Sequence, residues 1–458
     1  MQRLLVTLWL ANLILFLSFH TKSRGLDVLK DPLEFYALNS NDKLLTQYQA
    51  QNKIIQSIRV DGNTRTSIDI IANKIMLKEG ASFSKDLFDE TLQNLKNLQV
   101  FSKITIFIYE NKEKKLDLKI EIVEKWTMIP YFVVGSGGGT AYYAFGLYDT
   151  NFLGRMYTFN FTYGCKNYNC STASFFRNPS LLGQKINFVI TPALYHNVYY
   201  LYDRRRDNIG AFANIQTLLI SYADFEINKG LSIGGGVVYQ KNDITAKGLK
   251  SSDLENNERR HFNSPNSTTS TAFEGRLTLG QIDYDGIVVN GVNYVSVIDS
   301  TLQANINPEN NYTASNNTVL FYHVLPFFRD SYFAFRGNGS VTSSQAISQY
   351  YYLGGLDKIR GFYDGEFAGK YAWFTNSEFR IPSYIGNTIA LQHVLFSDSG
   401  AAANSFAGAF TSHTAVNVGT GIRILFLEIN KIALRADFAY TLSPFQTYGV
   451  SLGLLQFF

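Results

Sequence analysis

Leu353-Gly354-Gly355-Leu356-Asp357-Lys358-Ile359-Arg360-Gly361-Phe362 sets an arginine among glycines and apolar residues, between two strand-like runs near the C-terminal end of the chain. Acidic residues follow in Asn376-Ser377-Glu378-Phe379-Arg380-Ile381-Pro382 and in Phe396-Ser397-Asp398-Ser399-Gly400, and the last two residues are Phe457-Phe458. A guanidinium that sits where water is scarce needs carboxylate partners, and an unpaired one is costly. Together these segments suggest a membrane barrel with a charged lock inside.

Composition agrees. The 458 residues are 46% hydrophobic and 15% aromatic, with 29 Tyr and 36 Phe but only 9 Pro. After the first twenty residues no stretch approaches the roughly 18 to 20 apolar residues of a spanning helix, so membrane insertion has to use strands. A mean hydropathy of -0.07 fits that, because spanning strands alternate lipid-facing apolar with lumen-facing polar residues. Residues 1–24 combine Arg3, an apolar block from Leu4 to Phe19 and a polar flank. They read as a secretory signal, with a single anchoring helix as the alternative. The net charge of +4 is spread along the chain, which gives no basis for nucleic-acid binding. Arg204-Arg205-Arg206, the one basic cluster, reads as a solvated loop tip or a contact to anionic headgroups. Cys165 and Cys170 are spaced for a disulfide staple on a hairpin tip, with a free thiol pair as the alternative. No further Cys or His lies near them to make a metal site.

The segment 53–125 follows a different pattern, βααββ. Ile54 to Val60 alternates like a half-buried strand and Asp61-Gly62-Asn63 turns the chain. Ser67 is placed to cap a helix carrying Ile68, Ile71, Ile75 and Met76, which Gly80 ends, and Ser84 to cap a second with Leu87, Phe88, Leu92, Leu95 and Leu98. Strands Ile104 to Tyr109 and Leu116 to Val123 complete a small α+β module whose open sheet edge can pair with an extended peptide. Residues 25–52 read as a linker with a helical piece from Asp42 to Ala50.

From Trp126 to Phe458 the chain is a series of alternating strand-length segments with no convincing amphipathic helix, about sixteen by count, an even number as outer-membrane barrels require. Tight turns such as Asp149 to Gly154 and Asn178 to Gly183 fall on one side. The polar stretch Asn242 to Thr271, the Cys pair and Leu353 to Lys370 fall on the other. Short turns are expected on the periplasmic side, which places the module there too. The glycine-rich Gly135 to Thr140 reads as a hairpin, and no nucleophile elbow, paired-His spacing or phosphate loop points to an enzyme or a cofactor.

Four motifs in order resemble those of the outer-membrane superfamily that contains BamA, TamA and the FhaC-type secretion transporters. Gly146-Leu147-Tyr148-Asp149-Thr150-Asn151-Phe152-Leu153-Gly154-Arg155 is similar to its first periplasmic turn. Leu353-Gly354-Gly355 with Ile359-Arg360-Gly361-Phe362 is similar to its sixth-loop motif, and Phe396-Ser397-Asp398-Ser399-Gly400 to its thirteenth-strand motif. The module, with Val60-Asp61-Gly62-Asn63 and Leu98-Gln99-Val100-Phe101, resembles a single POTRA domain. The resemblance implies a 16-stranded antiparallel transmembrane β-barrel in a bacterial outer membrane, preceded by one POTRA-like domain. It implies that the sixth loop folds into the lumen with Arg360 paired to Asp398 and, less directly, Glu378, with Ile359 and Gly400 belonging to the two motifs; Gly361 would let the backbone turn sharply and Phe362 would pack against the wall. It implies Phe458 as an assembly signal, although Gln456 interrupts the usual apolar pattern. The expected partners are outer-membrane lipids, unfolded outer-membrane or secreted polypeptides at the module's sheet edge, and periplasmic accessory proteins. The function implied is assistance to outer-membrane protein insertion, with a two-partner type secretion transporter or a passive structural barrel as alternatives.

Overall fold

The computed structural model describes residues 43–137, 140–167, 169–203, 205–301, 310–355, 357–411, 414–429 and 433–454. The candidate export signal and Phe458 lie outside them.

The first unit is a four-stranded sheet in the order β1-β3-β4-β2, built from β1 (Lys43–Leu44), β2 (Ile55–Asp61), β3 (Phe101–Glu110) and β4 (Leu116–Glu124). β3 and β4 form a hairpin, while β2 runs parallel to β4 because two helices separate it from the hairpin. The helix Lys85–Asn97 buries Leu95 beside Ile71, Val100, Ile120 and Ile122, and a second cluster gathers Leu45, Ala50, Ile55, Leu77, Phe83 and Leu116.

Two expectations for this unit change. The first helix covers only Ile68–Ala72 and does not run on to Gly80. Beyond it the chain is extended, the Met76 N–H donates to the Thr91 hydroxyl (2.9 Å) and Leu77 enters the core. Neither Ser67 nor Ser84 caps its helix with its side chain. The linker reading fails from residue 43 onward: Lys43 and Leu44 pair with β3, Thr46 caps the short helix Gln47–Ala50, and Leu45 and Ala50 are buried. Leu45 and Ala50 point into the module while Tyr48 stays exposed, and the polar composition of the stretch hides the two that are buried.

The second unit is one antiparallel sheet of sixteen strands whose neighbours follow chain order, except that β15 pairs directly with β18. Its first half runs through β5 (Met128–Gly137), β6 (Thr140–Phe152), β7 (Tyr157–Lys166), β8 (Asn169–Asn178), β9 (Ile186–Tyr202), β10 (Asn208–Asn228), β11 (Leu231–Thr245) and β12 (Thr268–Asp285). β13 (Val288–Thr301), β14 (Thr313–Val324) and β15 (Tyr332–Thr342) follow. A small hairpin, β16 (Tyr351–Leu353) with β17 (Phe367–Gly369), stands apart inside the next loop. The sheet resumes with β18 (Tyr371–Ile385), β19 (Ile389–Ala403), β20 (Ala415–Phe426), β21 (Ala433–Ser443) and β22 (Thr447–Leu454). β5 and β22 lie side by side, with Cα atoms within 8 Å, and no ladder joins them among the described residues.

Strand parity sorts the side chains. On β18, Ala372, Phe374, Asn376, Glu378 and Arg380 point inward and are buried, while Phe379 points outward and is exposed. Exposed apolar residues such as Phe145, Leu219, Ile233, Phe273, Val292 and Val418 continue this outer band around the sheet, the pattern of a lipid-facing wall. Among the described residues no helix is long and apolar enough to cross a membrane.

The far-side loops do hold helices, contrary to the sequence reading. β11 and β12 extend into the polar stretch 242–271, and between them Ser251–Arg259 is helical. That helix is held by polar contacts, with Asn257 donating to the Ala211 carbonyl (2.7 Å) and accepting from its N–H (2.8 Å), so no apolar stripe announces it. A second helix, Phe406–Thr411, follows β19.

Candidate functional site

The loop between β15 and β18 folds back against the inner faces of β18 to β22. Gly361 makes the sharp bend at φ +85, and its Cα lies where a Cβ on Gly449 of β22 would come within 2.9 Å. With the chain turned there, Arg360 is delivered to the wall. Its backbone N–H donates to Asp398 Oδ2 (3.1 Å), its Nε to the same oxygen (2.9 Å) and its Nη2 to Asp398 Oδ1 (2.7 Å). Its Nη1 donates to Glu378 Oε1 (2.7 Å) and lies 3.5 Å from Asp437 Oδ2. The guanidinium is 3.4 Å from the centre of the Phe396 ring, so a cation–π contact covers the face that the fork leaves open.

The ion-pair network around Arg360 extends beyond Asp398 and Glu378. Arg380 pairs with Glu378 (2.7 Å), and Arg423 pairs with Asp437 (2.6 Å) and approaches Glu378 (3.5 Å). Asn376 donates to Asp398 Oδ1 (2.9 Å) and to the Lys358 carbonyl (2.7 Å), while Asn417 donates to Asp398 Oδ2 (3.1 Å) and to the Arg360 carbonyl (2.6 Å). Each of these charged groups is nearly or wholly buried, and bidentate geometry with additional hydrogen bonds is what a buried ion pair requires to offset its desolvation. Ile359 and Phe362 pack with Leu353, Ala372, Phe374 and Ala415, and Gly400 leaves room for the Ile359 side chain. Asn376, Arg380, Arg423, Asn417 and Asp437 went unread. Their signal was a polar residue at the centre of an apolar strand and on the inward parity.

Arg206 corrects the reading of the basic cluster. It is no free loop tip: its Nε lies 2.9 Å from Glu366, and its guanidinium stacks 3.8 Å from the Tyr363 ring centre. Lys166, in the hairpin that the Cys165–Cys170 disulfide closes, pairs with Asp364. The distal part of the loop is therefore held by the β7–β10 side of the sheet while Arg360 is held by the opposite side.

The module seats against the end of the sheet that carries the short turns. The turn after β6 meets residues 65–69: Ser67 N–H donates to the Gly154 carbonyl (2.9 Å), Asn151 to Thr66 Oγ1 (2.8 Å) and Arg155 to Asp69 (3.0 Å). Glu124 braces that loop by accepting from Thr64 Oγ1 (2.8 Å), Arg65 N–H (2.8 Å) and Thr66 N–H (2.7 Å). Burial alone would raise the Glu124 pKa, but these hydrogen bonds outweigh it and hold the carboxyl below the ordinary glutamate range. On the other flank Asn97 donates to Asp283 (2.8 Å) and accepts from Tyr284 N–H (3.1 Å). The Trp126 N–H donates to the Glu428 carbonyl (3.0 Å), tying the connection to the turn after β20. Between module and barrel lies a cavity of about 740 Å³, lined on one side by Phe101, Ser102, Lys103 and Ile104 of β3 and on the other by barrel residues such as Tyr322, Tyr332 and Arg380.

A small α+β module seated on a sixteen-stranded antiparallel sheet with an arginine-pinned loop inside defines a POTRA-barrel architecture. Residues 53–125 match the POTRA family, described as a surface antigen variable number repeat. A putative outer membrane protein assembly factor of Treponema pallidum (strain Nichols) is 29% identical over 118 residues, which are 24% of this chain and 14% of that protein. The match therefore spans only a small part of that relative's length. Among solved structures, BamA from Haemophilus ducreyi lacking POTRA domains 1-3 superposes with a TM-score of 0.50 at 15% identity, over 88% of this chain and 84% of that one. CdiB from Acinetobacter baumannii superposes with a TM-score of 0.55 at 14% identity, over 88% and 74%. The shared fold and the POTRA match together support the BamA/TamA/FhaC-type superfamily.

Proposed function

We propose that this chain is an outer-membrane barrel, with its POTRA module in the periplasm, that assists the insertion of other outer-membrane proteins. The observation that carries this reading is the contact of Gly361 with Gly449, because it joins the pinned loop to β22, the strand that borders β5 at a seam where no ladder is formed among the described residues. Among the described residues β1 pairs with β3 at Tyr109 and Glu110, and the Leu45 N–H adds a bond to the Ile108 carbonyl (2.9 Å); the opposite end of β3 lines the cavity at the barrel mouth. An extended client can pair with β3 through backbone hydrogen bonds, which need little sequence specificity. From there it reaches the mouth of the barrel and the edges of β5 and β22, where strand pairing offers the next set of partners. The Arg360 network holds β18 to β21 together as one rigid sector while the seam opens beside it. The driving force is the client's own folding, which satisfies backbone groups that lipid cannot.

The test is reconstitution of the purified protein in liposomes and measurement of the insertion rate of an unfolded outer-membrane protein, against empty liposomes and Arg360→Ala. Acceleration that the substitution abolishes supports the reading. Absence of acceleration by the native protein rejects it in favour of polypeptide secretion or a passive barrel.

A further inference from the structure

The helix Phe406–Thr411 lies on the outer wall of the barrel, not over its mouth. Strand parity shows this. Asp398 and Gly400 of β19 face the lumen, so Ala401 faces out, where it pairs across the sheet with Trp373 of β18. An outward residue on a lipid-facing wall is expected to be open, yet Ala401 is fully buried. The helix covers it, packing on β18 and β19 with Ala409 turned inward. The Trp373 indole donates to the Ala409 carbonyl (2.8 Å), which fixes the helix to the wall.

The other face of this helix has no partner in the described structure. Phe406 and Phe410 are 67% and 59% exposed, 5.2 Å apart between ring centres, and each extends an outward aromatic of β18: Phe406 meets Tyr371 and Phe410 stacks on Trp373. The segment from Gly400 to Thr411 contains no charged residue. Lower on the same two strands the outward Phe379 and Leu395 are also exposed, so the aromatic patch is continuous with the lipid-facing wall. It stands at the end opposite the module. Membrane barrels carry girdles of aromatic side chains at that depth.

We propose that the helix Phe406–Thr411 is an interfacial anchor whose two phenylalanines lie in the headgroup–acyl boundary of the leaflet farther from the module. The occupant of the patch is the lipid surface, because the patch extends a wall that already faces lipid and its segment carries no charge to specify a protein. Anchoring here fixes the height and tilt of the β18–β19 sector, which carries Glu378 and Asp398.

The proposal rests on the barrel's being membrane-embedded, and its test separates the two. A polarity-sensitive fluorophore is placed at Ala407→Cys on the helix, at Phe379→Cys on the wall and at Glu255→Cys on the helix of the β11–β12 loop. Each labelled protein is then studied in vesicles whose lipids carry a spin label either near the headgroup or near the chain end. The expected result is loss of emission at position 407 with the shallow label and little loss with the deep one, loss at 379 with the deep label, and none at 255. Loss at 379 combined with no loss at 407 overturns the anchor, whether a second copy, a protein partner or water covers the patch instead. No loss at 379 rejects the embedding on which it rests. Phe406→Ser with Phe410→Ser should bring position 407 to the behaviour of 255 while 379 is unchanged; persistence of quenching at 407 in that variant also overturns the proposal.

Discussion

At the scale of the residue, Arg360 is a cation whose every polar atom is answered by the wall. Arg360→Ala leaves Glu378, Asp398 and Asp437 buried with too few cations, and removing one member of a buried pair costs about 3–5 kcal/mol. Thermal unfolding in detergent should show a loss of that order. Adding Asp398→Asn to the variant should cost less than the sum of the two single changes, since the acid that Arg360 neutralised is then gone. Additive losses would mean that the two residues do not act on one another. In contrast, Lys96 and Asp285 form an exposed pair (2.8 Å), and Lys96→Ala should change stability by less than about 1 kcal/mol.

At the scale of the element, the sixth loop is held at two separated places, and each can be released alone. Arg206→Ala removes the ion pair to Glu366 and the stack on Tyr363, so limited proteolysis should cut near residues 363–366 while Arg360 stays protected. Cutting at both places would show that the loop moves as one piece. The turn after β6 offers a similar local test. Gly154 adopts φ +69, and a Cβ there would sit 2.0 Å from the Arg65 carbonyl oxygen. A left-handed conformation costs an L-residue roughly 1–2 kcal/mol before any clash, so Gly154→Ala should undock the turn. The Ser67 N–H, which donates to Gly154, should then exchange with solvent faster in a hydrogen-exchange measurement.

At the scale of the whole molecule, the docking of module on barrel should respond to acid through Glu124, which braces the loop of residues 64–66 that meets the turn after β6. Glu124 has a folded pKa below its unfolded one, so its contribution to docking is fully present above the ordinary glutamate range and is lost as pH falls through the lower folded value. Interdomain distances followed by spin labels on module and barrel should lengthen in that acidic window. Glu124→Gln should abolish this pH dependence at the cost of weaker docking at neutral pH. A distance that responds to acid equally in both proteins would assign the effect to another group.

Much of this architecture was legible from residues alone, because period-two alternation and turn chemistry are local properties. The strand count, the change from module to barrel at Trp126 and the placement of long and short connections all follow from patterns a few residues wide. Arg360, Glu378 and Asp398 were singled out because their short segments resemble motifs of a known superfamily. Only the tertiary structure brought in Asp437, Arg423 and Asn417, because parity says which face a residue occupies but not which strands the loop reaches when the sheet curves round. The same limit concealed Arg206, which looks like a solvated tip until the loop of residues 343–370 crosses to meet it. It also concealed the helix Phe406–Thr411, whose two exposed rings acquire meaning only beside Trp373 and Ala401 on the outer wall. Local sequence determined the elements and their faces; curvature and long-range register decided which charged groups meet.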